Sequence, residues 1–288
     1  MEWQTDWNLR ARMGVTMFLL FALYLVFIAV LTAYFGNLLF AAVMLGAFSL
    51  VQFFFSDKLA LRSMGAKTVS EDEYPRLHAQ VSRLSQQADL PKPTVAVADS
   101  RTPNAFATGR SPKSGVVCVT TALLDTLDDD ELEGVLAHEL AHIKNRDVAV
   151  MTIASFLSTI AFLIVRWGWL FGGRGRNQAP LFVAIIVSLL VWVISFLLIR
   201  ALSRYREFAA DRGAAAITGN PSALASALMK ISGRMDKVPE EDLREQAEMN
   251  AFFIIPISKG FIGKIARTHP PTEKRIEELR KLERQAET

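Results

Sequence analysis

Residues 128–142 read Asp-Asp-Asp-Glu-Leu-Glu-Gly-Val-Leu-Ala-His-Glu-Leu-Ala-His. Asp128 followed by Glu131 three residues later is a capping-box pattern, and the acidic run complements the positive end of a helix, so the stretch predicts a helix opening at Asp128. In that helix His138 and His142, four apart, share a face, and both imidazoles can reach one ion. Zinc is the expected metal, one per chain. Imidazole suits it, and a catalytic zinc keeps three protein ligands with a fourth position for water. Glu139 lies next to the first imidazole, where its carboxylate could take a proton from that water. An amphipathic helix carrying two satisfied histidines reads the same way.

A third ligand must come from elsewhere, and the only other histidines are His78 and His269. Downstream, Arg204-Tyr205-Arg206-Glu207-Phe208-Ala209-Ala210-Asp211 has no helix breaker, so Glu207 and Asp211 share a helical face. There Glu207 could bind the ion while Asp211 accepts the second N–H of a ligand histidine. An exposed charge cluster neutralised by Arg204 and Arg206 fits the same residues.

Between and before these segments the chain is apolar. Hydrophobic residues make up 51% of 288, an excess over a soluble domain that points to lipid. Four stretches, 14–35, 37–55, 148–171 and 181–199, have the length and composition to cross a bilayer. The expected organisation is an N-terminal transmembrane hairpin (1–57), a soluble segment with the histidine helix (58–147), a second apolar helix pair (148–199) and a second soluble segment (200–288). Arg10 and Arg12 before the first stretch, with Lys58, Arg62 and Lys67 after the second, put both ends of the hairpin and the first soluble segment on the cytoplasmic side, and an even number of crossings keeps the second soluble segment there. Arg166, Arg174 and Arg176 run against that rule for the second pair, for which shallow or re-entrant insertion is the alternative, with Gly172-Gly173 and Gly175 reading as a flexible connection. Two crossings, like none, return residue 207 to the face that carries 138–142.

In the first soluble segment Leu77, Val81, Leu84 and Ala88 recur at helical spacing, with His78 read as solvated. Three short strands follow at 94–98, 105–109 and 115–119, the last two joined as a hairpin through 110–114. The fold class expected is therefore a mainly α membrane protein with four transmembrane helices and an α+β zincin-like domain containing a short antiparallel β element. The lone Cys118 sits in an apolar run and reads as buried and inert. A net charge of +3, with no basic block interleaved with aromatics, argues against nucleic acid. A structural zinc scaffold would want four protein ligands, often cysteines, and a transporter would want carboxylates or lysines inside its spans.

These motifs, in this order, resemble the HtpX-type membrane metalloproteases, relatives of the CAAX prenyl proteases within the gluzincin group. The likeness rests on the apolar hairpin, Asn104-Ala105-Phe106-Ala107-Thr108-Gly109, the His138–His142 helix, the second apolar pair, the Glu207–Asp211 helix and Thr268-His269-Pro270-Pro271-Thr272. It implies a zinc endopeptidase in the cell membrane, its site facing the cytoplasm, that cleaves misfolded or damaged membrane proteins. A narrow processing protease of the CAAX type is the alternative. The resemblance further implies Glu207 as third ligand, Asp211 as its outer partner, Asn104, Ala105 and Phe106 along the substrate cleft, and His269 as stabiliser of the transition state. His269 also reads as a turn residue before a helix capped by Thr272 and carrying Ile276, Leu279 and Leu282. The stretch 236–257, acidic and then apolar, reads as a cleft lid or a lipid-surface element.

Overall fold

A computed structural model describes residues 7–35, 54, 58, 60–171, 179–235 and 270–286. The chain divides into two compact units. One comprises Met1–Asp6, Phe55–Val148 and Arg204–Thr288, and the other Trp7–Phe54 and Ala149–Ser203.

The first unit is built on a four-stranded sheet in the order β1-β2-β4-β3, with β1 at Ala66–Thr68, β2 at Thr94–Ala98, β3 at Ala105–Thr108 and β4 at Val116–Thr120. The expected hairpin is present: β3 runs antiparallel to β4, with Phe106 opposite Cys118. The β element is not purely antiparallel, however. β2 and β4 pair in parallel, Ala96 opposite Cys118, and the unforeseen β1 closes the far side antiparallel to β2. The reason is compositional: β4 is buried at every position and β2 at all but its first, the continuous apolar run of a central strand rather than the alternation of an edge.

Helices pack against this sheet. Leu77, Val81 and Leu84 of α2 (Pro75–Gln87), with Ala88 beyond its end, are all buried. His78 is buried with them, its Nε2 3.1 Å from the Val69 carbonyl, which corrects the solvated reading. After the short α3 (Thr121–Thr126), α4 spans Asp129–Lys144. Its capping box forms as expected: Asp128 accepts from the Glu131 N–H, and the Glu131 side chain accepts from the Asp128 N–H. Glu131 also accepts from Ser226 Oγ (2.6 Å) and pairs with Lys230 (2.6 Å), both on α7 (Pro221–Met235). The same two helices approach closely at Gly134, where a Cβ would stand 2.9 Å from the backbone nitrogen of Leu224. That closeness explains a glycine inside a helix, where it is otherwise unfavourable. The last helix, α8 (Thr272–Ala286), buries Leu279 fully, with Ile276 and Leu282 packed partly buried beside the core. Its first turn hangs from the carbonyl of Pro271, which accepts from Arg275 N–H, so Pro271 rather than Thr272 holds the capping position.

In the second unit, α1 (Trp7–Phe35) packs with parts of α5 (Asp147–Phe171) and α6 (Ala179–Thr218). Leu20, Tyr24 and Phe27 are buried, and the Tyr24 hydroxyl donates to the Ala154 carbonyl at 2.7 Å. Elsewhere the helices expose Phe18, Phe21 and Val26, and Phe182, Ile186, Leu190 and Leu197. Among the described residues, two helices, Trp7–Val30 and Phe182–Thr218, are long and apolar enough to cross a membrane. The expected stretch 148–171 is helical as part of α5. The stretch 37–55 lies outside the described residues apart from Phe54, as do Arg174, Arg176 and 236–257.

Candidate metal centre

Two turns of α4 present His138 and His142, and a charged continuation of α6, beyond its apolar run, presents Glu207. The three contribute ligand atoms that all lie within 4.8 Å of one another. The two Nε2 atoms are 3.1 Å apart, and the Glu207 carboxylate stands 3.6 Å from each. Two donors on a tetrahedral zinc at ordinary bond lengths are about 3.4 Å apart, so the separations suit such an ion.

The hydrogen bonds behind the rings strengthen the fit. Nδ1 of His138 faces Asp211 Oδ1 at 3.0 Å, and Nδ1 of His142 faces Asp147 Oδ2 at 2.5 Å. A carboxylate can only accept, so each Nδ1 carries the proton and donates it. Both Nε2 lone pairs are then turned toward the same point. Without a cation there, a proton must separate them. Burial and the Arg275 charge oppose protonation of His138, yet Asp211 and Glu207 outweigh them and raise its pKa to about 9. The residues present therefore fit a divalent ion that takes imidazole and carboxylate donors.

Around the donors lie two guanidinium groups. Arg275 of α8 is buried, with Nε 2.9 Å and Nη2 2.6 Å from the two oxygens of Asp211 and Nη1 3.4 Å from Glu207 Oε2. Burial alone would raise the Asp211 carboxyl. Arg275 and His138 hold it below the usual range. Arg206 pairs instead with Asp147, Nε to Oδ1 at 2.9 Å. Glu139 is buried beside the donors and lies within electrostatic reach of Arg275.

A cleft borders His142. Ala107, Thr108 and Gly109 at the end of β3 line it together with His142, Ile143, Asp147 and Val148. The sheet ends at β3 among the described residues.

The model of peptidase family M48 matches residues 71–283. The chain belongs to that family. Curated relatives include Protease HtpX homolog 2 of Methanosarcina acetivorans, 56% identical over 99% of this chain and 98% of that protein. Protease HtpX homolog of Moorella thermoacetica is 53% identical, covering 98% and 97% of the two chains. Protease HtpX homolog 1 of Streptomyces coelicolor is 50% identical, covering 98% and 95%. The crystal structure of S. mikatae Ste24p superposes with a TM-score of 0.54 at 18% identity, over 94% of this chain and 66% of that one, and shows a shared fold. This M48 peptidase is a membrane metalloprotease that hydrolyses peptide bonds of polypeptide substrates.

Of the residues expected from sequence, His138, His142 and Glu207 come together, Asp211 stands against His138, and Glu139 is buried next to it on α4; Glu207 and Asp211 are themselves buried rather than part of an exposed charge cluster. Asn104 is fully buried, its N–H donating to Thr120 Oγ1 and its carbonyl accepting from Thr120 N–H. His269 lies outside the described residues. Sequence reasoning missed Asp147, Arg206 and Arg275. A signal existed for the last: Arg275 shares the helical face of Leu279 and Leu282, where an apolar residue is expected. Cys118 is buried as expected, and burial foremost pushes its thiol up to about 12.

Proposed function

We propose that this chain is a zinc endopeptidase of membrane-protein quality control, with His138, His142 and Glu207 holding the ion and Glu139 acting as general base. The convergence of two imidazole lone pairs and a carboxylate on one point carries this reading. Zinc in that position supplies Lewis acidity to a scissile carbonyl and makes water a competent nucleophile near neutral pH. The chain does the rest. Glu139, on the same turn as His138, takes the proton of the attacking water and returns it to the leaving amine. Asp211 and Asp147 hold the imidazoles in the tautomer that leaves Nε2 free to ligate.

Substrate adds to the edge of β3 in extended form. Asn104 turns its backbone bonds inward to Thr120, so the alternation of an antiparallel ladder leaves those of Ala105 and Ala107 for an incoming strand. Recognition through main-chain bonds suits broad specificity, and hence damaged proteins of varied sequence. His269 donates to the developing oxyanion. His269→Asn should lower kcat with KM little changed, and an unaltered kcat would leave it a turn residue.

The two soluble segments, 58–147 and 200–288, make one catalytic body on the cytoplasmic side of the cell membrane, anchored by four spans. Alkaline phosphatase fused after Asn37 should be active and after Lys67 inactive; the reverse pattern overturns that orientation.

The test of the whole reading is zinc content and casein cleavage in detergent, side by side for the native chain, Glu139→Gln and Glu207→Ala. About one zinc with cleavage, zinc without cleavage, and loss of zinc are the expected outcomes in that order. Equal zinc in all three without cleavage would sink it.

A further inference from the structure

We propose that Asp147 and Arg206 are a positioning pair for His142, a second carboxylate–guanidinium relay that matches Asp211 and Arg275 behind His138. This rests on His142 being a metal ligand. The Asp147 carboxylate bridges the two partners: Oδ2 accepts from His142 Nδ1–H at 2.5 Å, while Oδ1 lies 2.9 Å from Arg206 Nε. All three side chains are largely buried, the carboxylate most of all.

The backbone is bent to make this contact. Were α4 to continue, residue 147, five positions beyond His142, would lie about 140° around the axis and face away from the imidazole. Instead α4 stops at Lys144, and Arg146 takes a left-handed conformation at φ 55°. An arginine adopts that region rarely, and such an outlier beside a site is a reason to look for function. The turn makes Asp147 the first residue of α5, with its carboxylate against His142.

Arg206 adds a link along α6. It directly precedes Glu207, so the guanidinium that fixes Asp147 and the carboxylate proposed to bind the ion ride on one helical turn. His142 and Glu207 are thus held in register through Asp147. Two relays, one for each imidazole, fix both ring orientations and both tautomers before an ion arrives.

The experiment measures zinc affinity by competition with a chromogenic chelator, and the visible absorption of the cobalt(II)-substituted protein. The proteins are the full-length native chain, Asp147→Asn, Asp147→Ala and His142→Ala. Losing an outer partner of this kind weakens metal binding about 10- to 100-fold. Asp147→Ala should show that loss with shifted cobalt bands. Asp147→Asn, which keeps an oxygen to accept from Nδ1–H, should recover part of it. If both Asp147 variants bind zinc within about twofold of native with superimposable cobalt spectra, the relay is overturned. Should Asp147→Ala not fold, Asp147→Asn decides alone on the same criterion. His142→Ala separates the two layers: affinity equal to native would overturn the ligand assignment itself, whereas its loss beside unaffected Asp147 variants overturns only the relay.

Discussion

Arg275 and Asp211, 64 residues apart in sequence, form a forked pair at 2.9 and 2.6 Å, and both are almost wholly withdrawn from solvent. The pair pins α8 to the helix that carries Glu207. Breaking a buried pair by removing one partner strands the other charge, at about 3–5 kcal/mol. Arg275→Met should therefore lower the melting temperature of the detergent-solubilised protein and reduce zinc retention together. Arg275→Lys keeps the charge but not the fork and should fall between. A melting temperature unchanged by Arg275→Met would contradict the role given to the pair.

Glu139→Gln preserves shape and removes the base. Zinc content should equal that of the native chain while kcat falls about 10²- to 10⁴-fold. Zinc analysis and peptide turnover on one preparation decide it, and full turnover would remove Glu139 from the chemistry.

The metal-free protein should lose stability as pH rises from 6.5 to about 9. His138 has its folded-state pKa raised to about 9 by the carboxylates around it, against 6.5 for an ordinary histidine. A raised value stabilises fully below the unfolded pKa, and the contribution disappears as pH climbs through the folded one. With zinc in place the ion does the work of that proton and the decline should vanish. Melting curves with chelator and with excess zinc across this pH window check the difference.

Gly134→Ala places a methyl group against the Leu224 backbone, which cannot swing aside as a side-chain tip could. The helix-propensity gain of about 1 kcal/mol is expected to be outweighed by overpacking of about 1–3 kcal/mol. Thermal unfolding measures the balance, and a stabilised variant would mean that α4 and α7 separate at little cost.

The centre was legible where local rules set it. His138, Glu139 and His142 are fixed by helical period and the capping box by a three-residue spacing, whereas spacing gave Glu207 and Asp211 only a shared helical face and the family resemblance assigned them to the centre. What escaped was long-range or lay beyond a break in regular structure. Asp147 faces His142 only because Arg146 leaves the helical region. Arg206 read as a surface neutraliser because its partner lies 59 positions earlier. Arg275 broke an apolar stripe whose purpose no spacing rule states. The parallel pairing of β2 with β4 likewise depends on a hairpin strand being set to the far side, which strand propensities do not encode.

The fork between Arg275 and Asp211 bears on biogenesis. The side chains of the centre are drawn from residues 138 to 275, so no shorter nascent chain holds the complete arrangement. Until Arg275 has been made, the buried Asp211 behind His138 lacks its countercharge, so the support of the centre is completed only when the last helix docks.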